Sequence, residues 1–312
     1  MQNKQAKGPL AGKVALVAGA TRGAGRGIAC MLSEAGALVY CTGRSSRSRA
    51  IANRERLPAP ASQAFQLSTR PETIEETAAM VSAHGGRGVA VVVDHTSEVA
   101  VQALFERVRA EQGRLDVLVN DIWGGDELAE WGKPFWEQDL SKGWQMQERA
   151  VLSHAITSHY AAPLLIERRQ GLIVEVTDGD TLEYRGNFFY DLAKASVIRL
   201  AYAMAQELRP YNVTSLAITP GFLRSEAMLD HFGVSEANWQ AGARKDPHFI
   251  ASETPFFVGR AVAALASDPA VAQKSGQVLS SWTAARQYGF TDIDGRQPDW
   301  GKYFEEKIAK KS

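Results

Sequence analysis

The sequence predicts a doubly wound parallel α/β fold, and three observations predict it. Short apolar runs alternate with amphipathic helical stretches along nearly the whole chain. The runs are almost continuous in Val, Ile, Leu and Ala, as in strands covered on both faces. The first run passes directly into a glycine-rich turn followed by a helical stretch. A sheet of about seven parallel strands follows, with helices on both faces and right-handed crossovers.

Taken in order, the strands are expected at Val14–Ala18, Leu38–Thr42, Val89–Asp94, Val117–Asn120, Leu172–Thr177, Val213–Ile218 and Gln277–Ser280. Each is short and apolar enough for a buried strand. Helical spacing appears over Gly25–Ala35, Glu98–Gln112, Trp144–Ile166, Asp191–Arg209 and Pro255–Ala266. Two regions break the rhythm. A Ser-, Arg- and Pro-rich tract at about 45–71 is longer than an ordinary connection, and so is either functional or mobile. The second is Arg224–Thr254. No internal repeat or linker marks a second domain, so one domain over 1–312 is expected.

Composition narrows the function classes. The 312 residues carry 35 basic and 35 acidic side chains, so no overall field favours nucleic acid or an anionic membrane. No apolar run approaches the ~18 residues of a membrane span. The first residues, MQNKQAKGPLAGK, lack the apolar core of a secretory signal, which makes a cytoplasmic location the expectation. Two cysteines, Cys30 and Cys41, cannot build a disulfide framework and are expected as buried, inert thiols.

The turn after the first strand reads Gly19-Ala-Thr21-Arg22-Gly23-Ala-Gly25. Glycines let backbone amides approach a pyrophosphate at a helix N-terminus, where the dipole favours anions. Such clusters also make plain strand-to-helix turns, but this one sits between the first strand and the first helix. In NAD-binding folds of this type an acid near the end of the second strand binds the ribose hydroxyls. Here that strand ends in Thr42-Gly43-Arg44, with no carboxylate. Arg44 and Arg22 suit a dianionic 2′-phosphate, so NADP(H) is expected over NAD(H), unless both are plain surface arginines.

Tyr190-Asp-Leu-Ala-Lys194 opens a helical stretch, and the four-residue spacing puts both side chains on one face. A tyrosine titrates near pH 10; an ammonium within ~4–6 Å lowers that value and fits the phenol for acid–base work. Alone, this spacing is common on helix surfaces. After the fifth strand of a dinucleotide-binding chain it points to catalysis.

With these residues the chain resembles the short-chain dehydrogenase/reductase family across nearly its whole length. The matching features are the Gly19/Gly23/Gly25 turn, Asp94, the LVNDIWGG segment, Tyr190/Lys194 and Pro220-Gly221. The stretch Arg286–Arg296 further resembles the branch around member 1 of the dehydrogenase/reductase SDR group. The resemblance implies a Rossmann-type domain in which Asp94 and His95 lie near the adenine and Asn120 steadies the cofactor pocket. It implies that Lys194 also binds the nicotinamide ribose, and that Pro220, Gly221 and Ser225 border the nicotinamide amide. Residues 224–254 would then be a substrate-covering loop and about 284–312 a C-terminal extension. It also implies a homodimer or homotetramer.

The pattern breaks in places. Thr177 stands where the family has its catalytic serine; it keeps the hydroxyl but adds a methyl that restricts the rotamer. Asp178 follows, and either disfavours the tyrosinate or points into solvent. The family's helix asparagine is missing, with Ala150, or alternatively Arg149, at its place. His154 and His159 are five apart and do not share a face as a metal pair would, so no metal is expected. Trp123, Trp131, Trp136 and Trp144 are expected as core and interface packing residues; the alternative, an aromatic wall over an apolar substrate, draws on Phe222, Trp239, Phe256 and Phe257 near the second irregular region.

The function expected from all this is hydride transfer between NADP(H) and a small, mainly apolar ketone, aldehyde or alcohol, with Tyr190, Lys194 and Thr177 as catalytic residues. The rival is a catalytically idle NADP-binding protein with a regulatory or assembly role.

Overall fold

The computed structural model describes residues 8–48, 64–67, 70–181 and 183–308. Much of the tract at 45–71 therefore lies outside the described residues, as do the last four residues of the C-terminal extension.

Seven parallel strands form one sheet in the order β3-β2-β1-β4-β5-β6-β7. They are β1 (Val14–Ala18), β2 (Leu38–Gly43), β3 (Arg87–Val92), β4 (Val117–Asn120), β5 (Gly171–Val176), β6 (Val213–Thr219) and β7 (Val278–Ser280). Around them lie α1 (Gly23–Glu34), α2 (Ile74–Ala83), α3 (Glu98–Gln112), α4 (Leu140–Gln147), α5 (Ser153–Arg168), α6 (Phe188–Leu208), α7 (Glu226–Phe232), α8 (Pro255–Ser267), α9 (Ser281–Tyr288) and α10 (Trp300–Lys307). One apolar core on one sheet face joins Val17, Ile28, Ile74, Val174 and Val262, and a second joins Leu16, Leu104, Phe105, Leu118 and Ile173. Successive strand residues point to opposite faces, which is why adjacent Leu16 and Val17 serve different cores.

The expected sheet is present, with boundary corrections. β3 begins two residues before the expected Val89 and stops before Asp94, because its register is set by pairing Leu38 with Arg87 and Gly43 with Val92 rather than by apolar content. Thr177 lies just past β5, although its amide still donates to the Ile218 carbonyl. The single helix expected over Trp144–Ile166 is instead α4 and α5, joined by a π-helical turn at Glu148–Leu152. Helix α2, between β2 and β3, was not expected. Its signal was present: Thr73 caps it by accepting from the Glu76 amide, three residues on.

Strand order reverses between β1 and β4, whose neighbours lie on opposite sides. In such sheets the crevice outside the carboxyl ends at this switch point receives the ligand.

Candidate active site

A cleft of about 770 Å³ opens at this place, within the size range of ligand pockets. The turn after β1, the ends of β2 and β3, the segment after β4, the loop after β5, the start of α6 and the loop after β6 all contribute walls. Of the residues singled out in the sequence, Gly19, Thr21, Arg22, Gly23, Arg44, Asp94, His95, Thr177, Tyr190, Lys194, Pro220, Gly221 and Ser225 line it together. Gly25 and Asn120 do not.

At the turn, Gly19 and Gly23 take positive φ angles of 87° and 57°, where a side chain would be strained. A Cβ on Gly23 would meet nothing nearer than Ser225 at 3.8 Å, so this backbone faces open cleft at the N-terminus of α1. That cradle fits a pyrophosphate. The Glu226 carboxylate accepts from the Gly23 amide at 2.8 Å, which shows the amide's affinity for an anion. The Gly25 amide is taken by Asp121, at 2.5 Å, and a Cβ there would strike the Gly19 carbonyl. Gly25 thus serves the close packing of turn against strand. Burial pushes the Asp121 carboxyl up to about 7, against the opposing pull of Lys194.

Three guanidinium groups line the end beyond the turn: Arg22, Arg44 and Arg70. Arg22 donates to Glu72 at 3.0 Å and to Ser45 at 3.2 Å. Arg70 pairs with Glu72 and with Asp230, the latter at 2.6 Å. Arg44 lies 3.9 Å from Asp94. Burial alone would raise the Glu72 carboxyl, but Arg70 and Arg22 hold it below its ordinary range. Arg70 was not singled out in the sequence, since its partner Asp230 is 160 residues away. His95 is buried, between Thr42 at 2.7 Å and Thr157 at 2.9 Å. Burial lowers it to about 3, so its ring is neutral.

The catalytic candidates converge at the other end. Asn187 caps α6, its side chain accepting from the Tyr190 amide at 3.1 Å, which fixes Tyr190 in the first turn and Lys194 one turn on. Burial lowers the Lys194 pKa, and its ammonium lies 3.8 Å from the centroid of the Trp123 ring. Trp123 and Trp131 each approach the Tyr190 ring at 5.3 Å, and Trp123 lines the cleft. Trp131, Trp136 and Trp144 are exposed and do not line the cleft. The Thr177 hydroxyl donates to the Lys194 backbone carbonyl at 2.9 Å. Asp178 does not point idly into solvent: Tyr190 donates its phenolic proton to Asp178 Oδ2 at 2.7 Å. Burial and then Asp178 push the Tyr190 pKa well above that of a free phenol.

Beneath the cleft lies a buried polar cluster. His154 meets Glu175 at 2.6 Å and the Ile122 carbonyl at 3.0 Å. Asn120 donates to Glu175 at 2.7 Å and to Ser158 at 2.9 Å. Asn120 therefore braces β4 against β5 and α5 from below the lining. The place expected for the helix asparagine falls in the π turn, where Ala150 is buried and Arg149 reaches the Gly124 carbonyl at 2.7 Å.

The segment after β6 holds α7 and two 3₁₀ turns, Glu236–Arg244 and Pro247–Ala251, packed on Phe232, Trp239 and Phe249. It is tied down by buried Arg224, which meets Glu236 at 2.7 Å and Asp294 at 3.2 Å. Arg224 and Arg296 both lie over the Trp239 ring, at 4.1 and 4.5 Å. Trp239 is thus a clamp residue and Phe257 a core residue, while Phe222 lines the cleft. Both cysteines are buried, and burial raises the Cys30 thiol to about 11.

A family model described as short chain dehydrogenase matches residues 56–232. Over 292 residues the chain is 36% identical to Dehydrogenase/reductase SDR family member 1 of Homo sapiens, an alignment spanning 92% of this chain and 85% of that protein. It is 27% identical over 279 residues to Oxidoreductase UcpA of Escherichia coli (strain K12), spanning 84% of this chain and 90% of that one. A solved short chain dehydrogenase of Mycobacterium thermoresistibile matches with a TM-score of 0.72 over 93% of this chain and 92% of that one; at 22% identity it speaks to the fold alone.

Proposed function

Because the chain belongs to the short-chain dehydrogenase/reductase family, an oxidoreductase family that works with nicotinamide dinucleotides, we propose that this cleft is the active site of an NADP(H)-dependent carbonyl reductase or alcohol dehydrogenase. The observation that carries the reading is the Tyr190–Lys194 pair at one end of a cleft that continues unbroken to the glycine turn. When bound, the cofactor supplies or accepts the hydride. The protein's part is to hold it and to manage the proton at the substrate oxygen. Gly19, Gly23 and the N-terminus of α1 would cradle the pyrophosphate, Asp94 and His95 the adenine, and Pro220, Gly221 and Ser225 the nicotinamide amide. Lys194 would hold the ribose, Tyr190 would exchange the proton, and Thr177 would orient the oxygen.

The phosphorylated cofactor is favoured by Arg44 after a strand that ends in Gly43, with Arg22 and Arg70 at the same end. A Cβ on Gly43 would come within 2.4 Å of Thr21 Oγ1, so a carboxylate side chain has no room there. Trp123 and Phe222, which line the cleft, favour a small, mainly apolar carbonyl or alcohol. Exposed Leu152, Phe188 and Leu192, on the π turn and α6, favour a homo-oligomer through that face.

The test is turnover of NADPH and NADH with a panel of aromatic and aliphatic carbonyls, with Tyr190→Phe alongside. Wild type should prefer NADPH, and the variant should lose about 10²–10⁴-fold in kcat while binding NADPH as before. Unchanged turnover in Tyr190→Phe would overturn the assignment. Arg44→Asp should move the preference toward NADH; an unmoved preference removes the 2′-phosphate reading.

A further inference from the structure

We propose that Asp178 is the outer proton acceptor for Tyr190, so that in alcohol oxidation the substrate proton leaves through the phenol to this carboxylate and then to water. The inference rests on the reading of Tyr190 as the acid–base group. A phenol has one proton, and Tyr190 gives it to Asp178 Oδ2 at 2.7 Å. An ionised carboxylate only accepts. Toward the cleft the phenolic oxygen therefore offers lone pairs, which accept from an alcohol hydroxyl and cannot donate to a carbonyl. The arrangement suits the alcohol; carbonyl reduction needs a proton on Asp178 first.

The balance is complete. The alcohol O–H breaks and its proton joins Tyr190 Oη, as the Tyr190 proton moves to Asp178 Oδ2. The carbinol C–H electron pair departs as hydride to an oxidised nicotinamide dinucleotide, and the C–O bond becomes double. Asp178 is exposed, so it can return its proton to bulk water. Of the two residues at the place of the helix asparagine, Ala150 has only a methyl and Arg149 reaches the Gly124 carbonyl at 2.7 Å; the side chain that accepts from the phenol is Asp178.

The carboxylate is held in place. Arg185 donates to the Asp178 backbone carbonyl and, at 2.9 Å, to Asp191. The Gly179 amide donates to Thr219 at 2.9 Å, with Gly179 at a φ of 79° that turns the chain behind Asp178. The charged groups around the pair are Lys194 from α6, Asp121 and Asp126 from the segment after β4, and Arg185 from the loop after β5, with Asp191 of α6 bonded to Arg185; Arg149 of the π turn lines the same cleft.

The deciding measurement is the ultraviolet tyrosinate titration of Tyr190, taken as wild type minus Tyr190→Phe and repeated in Asp178→Asn and Asp178→Glu without substrate. Asp178→Asn should move that titration down by about 1 unit or more, and Asp178→Glu should leave it near wild type. In parallel, Asp178→Asn should lower oxidation kcat near neutral pH at least about tenfold and move its rise to higher pH. NADPH affinity should stay unchanged, and Asp178→Glu should restore the profile. An unmoved titration, or an unaltered pH profile with Tyr190-dependent turnover, overturns the relay alone. If Tyr190→Phe keeps full turnover, the acid–base reading falls, and a moved titration then describes a paired tyrosine outside the reaction.

Discussion

At residue 177 the outcome turns on one methyl group and one proton. Thr177 spends its proton on the Lys194 carbonyl, so its oxygen, like that of Tyr190, faces a ligand as an acceptor. Thr177→Ser should stay within a few-fold of wild type, whereas Thr177→Val, equal in shape, should lower kcat on the order of tenfold, the worth of one accepting hydrogen bond. Glu253 carries a second prediction. Fully buried, it accepts from Gly221 at 2.9 Å and Ser281 at 2.6 Å, and burial pushes its carboxyl up to about 8. Its folded pKa lies above the ordinary value of 4.5, so its contribution to stability is full below that value and is lost as pH climbs through about 8. Glu253→Gln should therefore melt close to wild type at pH 5 and above it at pH 8.5. The pairing of Tyr190 with Lys194 was legible because four residues on a helix is a fixed distance. The aim of Asp178 was not, because it depends on a loop turned by Gly179 and pinned by Arg185.

Among the elements, the helix between β4 and β5 shows what periodicity omits. One apolar pattern runs through Trp144–Ile166, yet the backbone widens into a π turn at Glu148–Leu152. Such turns are often found at functional sites. Beyond it α5 presents His154, Thr157 and Ser158 to the sheet, and His154 closes on Glu175 of β5. Leaving a buried polar group without its partner costs about 1–3 kcal/mol, and Glu175 serves both His154 and Asn120, so Glu175→Ala should lower the denaturation midpoint more than His154→Leu does. The strands were legible because each is an apolar run between two cores. Their ends were less so, since register is a property of the neighbouring strand.

Across the whole molecule, the two ends of the cleft are built differently. The glycine turn is local: its residues lie within one strand-turn-helix unit, and it could be read from the sequence. The segment after β6, which lends Ser225 to the cleft wall, is fastened by joining Arg224 to Asp294 and Thr254 to Asp292, in both cases at 2.5–3.2 Å across long spans of chain. No periodicity connects such positions. Only the resemblance of Arg286–Arg296 to one family branch hinted that this tail had a task.

That clamp gives the molecule a direction in time. A ribosome delivers the glycine turn well before the carboxylates that fasten the segment after β6. Until residues 292–296 emerge, Arg224 has a single carboxylate partner, Glu236, and Trp239 lacks its second guanidinium. A chain stopped at 291 should therefore still bind dinucleotide, yet be cut by protease between 233 and 252, where the full chain resists. In the growing protein, the glycine turn is complete before the segment after β6 can be fastened.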